Sequence, residues 1–230
     1  ANGKIKSLMY SNEDAYELCN FFLEHCESRE KHHDISLFVN EGFRKKASYK
    51  KDIKVKEGTR VNILATLSNY LSKAKSNDLF VVYISTHGEI DYNDYFFILS
   101  DGVFDNILGT GISSNTLIQA LAKVSSKQVN VLMLIDTCYS GAISFDIAQY
   151  KGAFSCLLSA SPVEYSYEFN TLKHGAFTYY LLEALRKYKA ENVTWTLVDL
   201  YDYIYKKVQL KTKKKQNPLM TGTMDYNFPI

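Results

Sequence analysis

Two short segments of this 230-residue chain carry side chains able to do chemistry: Ser85-Thr86-His87-Gly88-Glu89 and Asp136-Thr137-Cys138-Tyr139-Ser140-Gly141. A cysteine attacks as its thiolate and is weakly ionised on its own. An imidazole beside it stabilises the thiolate and later protonates a leaving amine. That pairs His87 with Cys138 for nucleophilic attack on a carbonyl. The oxyanion formed in such an attack needs fixed donors. Gly88 has no side chain to hold its backbone N–H away from a substrate, and the Cys138 N–H is the natural second donor. Gly141 lets the chain turn tightly away from the nucleophile. The other cysteines read differently. Cys19, Cys26 and Cys156 are expected to be small buried hydrophobes, Cys156 inside a strand. His25, His32 and His33 lie on or after a first helix and read as surface or structural residues. His174 precedes a helix near the same edge and is the only other histidine with a case.

The elements around these segments explain how they meet. The runs Leu79–Ser85 and Val129–Ile135 are short, continuously apolar and β-branched, as in strands buried on both faces. Each runs directly into one of the two reactive segments. A crossover helix between them, capped by Ser113 or Ser114 and running to about Val124, makes the strands parallel neighbours or near neighbours. In open parallel sheets ligands sit beyond the carboxyl ends of the strands, so both segments open on one edge. Further strands are expected at Asp34–Asn40, Tyr95–Leu99, Ala153–Ser159 and Asp225–Ile230. Further helices are expected over 12–26, from Thr59 to about Ala74, and over Ala176–Lys189 and Leu197–Val208. Residues 41–57 read as a lysine-rich surface loop or edge hairpin, and Lys211 to Lys215 as a solvated loop. Alternation of strands and helices predicts an α/β fold, a mostly parallel sheet with helices on both faces, in a single domain over 1–230.

Bulk properties exclude other classes. Apolar residues make up 46% of the chain, with three prolines, so a core can form and disorder is not expected. A net charge of +2 gives no reason to expect nucleic acid or membrane as a partner. No apolar run reaches the roughly 20 residues that span a bilayer, and no secretory signal is visible. None of the four cysteines forms a CxxC pair, so they read as reduced intracellular thiols, and a cytoplasmic location is expected. The first residue is Ala, which suits a processed product or a domain of a longer protein.

On these residues the chain resembles the caspase and metacaspase family. Val81-Val82-Tyr83-Ile84-Ser85-Thr86-His87-Gly88 and Leu134-Ile135-Asp136-Thr137-Cys138-Tyr139-Ser140-Gly141 carry the likeness. His87 and Cys138 stand 51 residues apart, close to the caspase spacing of about 50. Leu158-Ser159-Ala160-Ser161, Tyr167-Glu168, Gly175 to Leu182, Gln216-Asn217-Pro218 and Phe228-Pro229-Ile230 also fit, with a weaker match at Asn12 to Ala15. The resemblance implies a three-layer sandwich about a six-stranded sheet, peptide-bond hydrolysis by a Cys138–His87 dyad, an oxyanion site at Gly88 and Cys138, and substrate contacts at Asp136, Ser159 and Ser161. Caspases carry glutamine two residues before the nucleophile and cleave after aspartate. Here Asp136 stands there, as in metacaspases, which cleave after arginine or lysine. A carboxylate near the scissile bond attracts a guanidinium and repels an acid. The plainer role for Asp136 is to cap the turn and hold Cys138.

Two departures from the family pattern matter. Only Lys4 to Tyr10 stands where the family has an apolar first strand. Only Ala142 to Gly152 separates Gly141 from the next strand, too little for a cleavable linker. Activity without cleavage there is expected, under control by a regulatory domain, an activating partner or an ion, with a protein or peptide as substrate. No cofactor is implied. Calcium activates some metacaspases, but Asp91, Asp94, Asp101 and Asp105 are dispersed and read as turn residues, so no metal site is expected. The alternatives are a caspase-like scaffold that binds a partner without cleaving it and, lower, an acyl or thioester hydrolase using the same pair.

Overall fold

The computed structural model describes residues 7–28, 32–46, 48–125, 128–149 and 154–222. In chain order its elements are α1 (Ser11–Ser28), β1 (Ile35–Val39), α2 (Glu41–Lys46), β2 (Ile53–Glu57), α3 (Arg60–Lys73), β3 (Leu79–Ser85), β4 (His87–Asp91) and β5 (Asp94–Ile98). Then come α4 (Ile107–Thr110), β6 (Ile112–Ser113), α5 (Ser114–Ser125), β7 (Asn130–Asp136), α6 (Ile143–Ile147), β8 (Phe154–Leu158), β9 (Glu168–Phe169), β10 (His174–Gly175), α7 (Ala176–Glu191), α8 (Leu197–Thr212) and β11 (Leu219–Gly222).

β7 organises the molecule. Side chains alternate across a strand, and those of β7 feed two different cores. Leu132 and Leu134 join Leu18 and Phe21 of α1, Phe177 and Leu181 of α7, and Leu200 and Ile204 of α8. Val131, Met133 and Ile135 join Leu67 of α3, Ile118 and Leu121 of α5, and Ile143 of α6. Helices thus cover both faces of one sheet, the three-layer α/β arrangement expected. Cys156 is fully buried in the second core, as a small hydrophobe should be. Cys19 and Cys26 are half-buried rather than buried, though burial still pushes the Cys19 thiol up to about 12.

The central sheet has the order β11-β8-β7-β3. β3, β7 and β8 run parallel and β11 is antiparallel to β8. Among the described residues this sheet has four strands rather than six. β3 pairs there only with β7 and is half-buried rather than buried on both faces. The expected strand at Asp225–Ile230 lies outside the described residues, as do Lys4 to Lys6 and Phe228-Pro229-Ile230. The described part of 41–57 is neither wholly loop nor a hairpin. It forms α2 and then β2, which pairs in parallel with β1. Ile53 and Val55 alternate with lysines there, a period-two signal that the lysine content masked. Lys211 belongs to the last turn of α8, and its ammonium lies 4.9 Å from the Phe169 ring centre. No helix among the described residues is long and apolar enough to cross a membrane.

Candidate active site

Strand register brings the two reactive segments together. β3 and β7 pair with Leu79 opposite Asn130 and Ser85 opposite Asp136. This is the same 51-residue offset that separates His87 from Cys138, so each lies two residues past the last paired position of its strand. Both segments therefore leave the sheet side by side at its carboxyl edge. His87 opens β4, opposite Ile98 of β5, and the Thr86 hydroxyl donates to the Ile98 carbonyl. The turn into the histidine is thereby tied to β5.

Gly88 packs against the Cys138 peptide. A methyl group there would lie 1.8 Å from Tyr95 Oη and 2.5 Å from the Cys138 carbonyl oxygen. The buried Tyr95 hydroxyl donates to that same carbonyl at 2.9 Å and pairs with Thr137 Oγ1. One phenol thus holds the Cys138 peptide against β4. Gly88→Ala should wedge this contact open. Overpacking of this kind costs about 1–3 kcal/mol, and a 1 Å misplacement costs catalysis about 100-fold. A urea melt with kcat/KM on one peptide checks both. Wild-type values would show that the contact carries no positioning.

The loop after Cys138 is held in a demanding conformation. Tyr139 sits at φ 57, ψ 18, left-handed backbone that a bulky residue adopts only when its surroundings impose it. Its N–H donates to the Glu164 carbonyl at 2.8 Å, and the Gly141 N–H to the Ala160 carbonyl at 2.9 Å. A methyl group at Gly141 would lie 2.6 Å from Pro162 N. Beneath the loop, Ser159 Oγ accepts from the Thr137 N–H and donates to the Thr137 carbonyl, both at 3.1 Å. Ser159 is 0% exposed, so the expectation that it contacts substrate is corrected: its hydroxyl is spent holding Thr137. Ser161 is half-buried and gives its N–H to Glu164 at 3.3 Å.

Cys138 is half-buried, its Sγ 3.9 Å from the Ser166 carbonyl oxygen. Burial pushes the thiol above its ordinary value, and the charges of Asp136 and Glu89 add to this. Thiolate formation here calls for a positive neighbour, and an imidazolium supplies one.

Asp136 lies two residues before Cys138 and is 6% exposed. Its Oδ1 accepts from Ser166 Oγ at 2.6 Å. Its Oδ2 accepts from Thr178 N at 3.2 Å and Thr178 Oγ1 at 2.6 Å. Burial raises its carboxyl, while the Ser166 and Thr178 bonds pull it down. A second carboxylate lies close by. A methyl group at Gly175 would stand 2.6 Å from Asp136 Oδ2 and 3.4 Å from Asp14 Oδ2. Asp14, 1% exposed, accepts from the Gly175 N–H at 3.0 Å and pairs with His174 Nδ1. The buried amide of Gln216 locks the surrounding loop. Its Nε2 donates to the Ser159 carbonyl and to Ser166 Oγ, both at 3.0 Å, and its Oε1 accepts from Tyr167 N at 3.0 Å.

Sequence reasoning did not place Asp14, Ser166, Thr178 or Gln216 in the site and left His174 at its margin. Asp14 stands in the first turn of α1, where a carboxylate reads as a complement to the helix dipole. The local signals were the second His-Gly pair, His174-Gly175, and the family-like segments Asn12 to Ala15, Gly175 to Leu182 and Gln216-Asn217-Pro218. Among the described residues no group of three or more His, Cys, Asp or Glu could hold a metal ion.

The family model for the caspase domain (peptidase C14) matches residues 2–229. Among solved structures, the chain is similar to protein GSU0716 from Geobacter sulfurreducens, with a TM-score of 0.52 and 19% identity over 76% of this chain and 80% of that one. That likeness is one of fold. No curated protein matches the chain significantly in sequence.

Proposed function

The chain belongs to the caspase-domain family, and from that premise we propose an endopeptidase that cuts after arginine or lysine through Cys138 and His87. Family membership carries cysteine peptidase chemistry in general. The specificity rests on one observation: the carboxylates of Asp136 and Asp14 flank a single point, Gly175, beneath the nucleophile loop. The Asp136 partners Ser166 and Thr178 are neutral, so they leave its charge to be met by a cation. An acidic substrate side chain would be repelled there.

The departure of both segments from one sheet edge supports the following reaction. With His87 as imidazolium, the Cys138 thiolate attacks the scissile carbonyl carbon. The oxyanion is held by the N–H groups of Gly88 and Cys138. His87 then gives its proton to the leaving amine as the C–N bond breaks, leaving a thioester on Cys138. His87 next takes a proton from water, whose oxygen attacks the thioester and frees the carboxylate product. The segment after Gly141 carries α6, which supports activity without cleavage there. A regulatory domain, an activating partner or calcium then supplies control, and a cytoplasmic setting suits the free thiols.

Fluorogenic peptides ending in Arg, Lys or Asp, assayed with and without calcium, test the reading. Arg and Lys peptides should be cleaved at least about 100-fold faster, the discrimination one well-made charged contact supports. Preference for the Asp peptide would overturn it.

A further inference from the structure

We propose that Ser159 is a positioning residue for the oxyanion: its hydroxyl, bonded to Thr137, aims the Cys138 N–H at the charge that develops in the reaction. The inference rests on the thiol mechanism proposed above and deepens it, because it names what orients one of the two oxyanion donors.

A trans peptide is planar, and its C=O and N–H point in opposite directions. The Thr137 carbonyl and the Cys138 N–H belong to one such peptide, and no peptide among the described residues is cis. Ser159 Oγ donates to that carbonyl at 3.1 Å, and Ser159 is fully buried. The Cys138 N–H, at the other end of the same plane, therefore points away from the buried hydroxyl. To hold one end is to aim the other. The N–H groups on either side are already engaged, that of Thr137 by Ser159 Oγ at 3.1 Å and that of Tyr139 by the Glu164 carbonyl at 2.8 Å. Among the described residues the Cys138 N–H has only its own sulfur for a partner. Of three consecutive N–H groups, it is the one left for a ligand.

The surrounding network fixes the direction of the Ser159 bond. Ser140 Oγ lies 3.4 Å from Ser159 Oγ, and it too is fully buried. Ser140 Oγ accepts the Ala160 N–H at 3.0 Å and donates to the Ala160 carbonyl at 3.2 Å. Ser159 Oγ treats Thr137 in the same way. Each hydroxyl has one proton, and each places it on a carbonyl of the other's segment. The main chain of Ser159 is not available for this role. Its N–H bonds to the Ile135 carbonyl at 2.8 Å, and its carbonyl accepts from Gln216 Nε2 at 3.0 Å. The pairing of β7 with β8 ends at Ile135 and Leu158. The hydroxyl carries the contact on to Thr137, whose carbonyl shares a peptide with the donor. The following peptide is held separately, its carbonyl by Tyr95 and its N–H by Glu164. Ser159→Ala should therefore release the first peptide without releasing the loop.

The test compares wild type with Ser159→Ala. Removing an oxyanion donor outright costs about 100- to 1000-fold in kcat. A misaimed donor costs less, so kcat should fall about 10- to 100-fold with KM within about twofold of wild type. A peptide aldehyde ending in the residue that wild type cleaves best reports on the same donor. Sγ bonds to the aldehyde carbon, the C=O π bond opens, and the thiol proton passes to the oxygen, which then sits where the oxyanion forms. Its affinity should drop by the same factor as kcat. The matching peptide alcohol cannot add sulfur and should bind as before. Alkylation of Cys138 by iodoacetamide forms no oxyanion and should keep its wild-type rate. If alcohol binding and alkylation fall together with kcat, Ser159 supports the loop as a whole and the proposal is overturned. Wild-type kcat and aldehyde affinity overturn it as well. Should Ser159→Ala not fold, Ser159→Cys decides, because a thiol makes both bonds more weakly. It must show the same split at smaller amplitude, and an equal loss in every readout, or none, overturns the proposal. Full cleavage by Cys138→Ala would instead reject the thiol mechanism itself, so the two failures are distinguishable.

Discussion

Cys138→Ala should abolish peptide cleavage, with kcat falling by about 10⁴-fold or more, as when the nucleophile of a hydrolase is removed. The methyl group left behind is small, and the loop around it is held by contacts that do not involve sulfur: Tyr139 N to Glu164 O, Gly141 N to Ala160 O, and Ser159 to Thr137. The variant should therefore fold and bind as before. His87→Ala should cost a similar amount, and the double variant little more, because nucleophile and base act as one unit. Alkylation by iodoacetamide separates the roles. Burial holds the Cys138 thiol above its ordinary value, so alkylation at neutral pH depends on an imidazolium beside it. It should slow markedly in His87→Ala. Full cleavage by Cys138→Ala would reject the nucleophile. An intact enzyme whose Cys138 resists alkylation under every activating condition would favour the non-cleaving scaffold.

Asp136→Asn should reduce kcat/KM for Arg and Lys peptides by about 10²- to 10³-fold, the range for losing one partner of a desolvated charge pair. Peptides with a neutral residue at that position should lose far less. The substitution keeps the shape but not the bonding. Thr178 offers Asp136 Oδ2 a backbone N–H, which only donates. The amide oxygen must face Thr178, and the amide NH2 then turns to Ser166. The Ser166 hydroxyl can rotate to accept it, while also receiving a bond from Gln216 Nε2. Stability should fall by only about 1–2 kcal/mol, read as a modest shift in a urea midpoint. If Arg, Lys and neutral peptides lose activity in equal proportion, Asp136 holds the loop and does not choose the substrate.

Much of the site was legible because its main signals are local. An apolar, β-branched run followed by a polar turn marks the end of a buried strand, and two such ends presented His87 and Cys138. Thr59 reads as a cap, and its hydroxyl accepts from Asn62 N at 3.3 Å. Ser159 was misread because a hydroxyl beside the nucleophile segment looks the same in sequence whether it faces substrate or the peptide of Thr137. The parallel pairing of β1 with β2 was missed for a related reason: lysines on one face of Ile53–Glu57 hid the alternation on the other.

The sequence by itself determined the class of fold and singled out the segments that carry Cys138 and His87. Each is written in a dozen adjacent residues whose period and polarity report burial directly. Only the tertiary structure decided what lies beneath the Cys138 loop. Asp14 and His174 are 160 positions apart, and Gln216 reaches Ser159 across 57. No local pattern separates a first-turn aspartate that complements a helix dipole from one whose charge a buried imidazole must balance. That distinction is made by desolvation, which exists only once the chain has closed around both carboxylates.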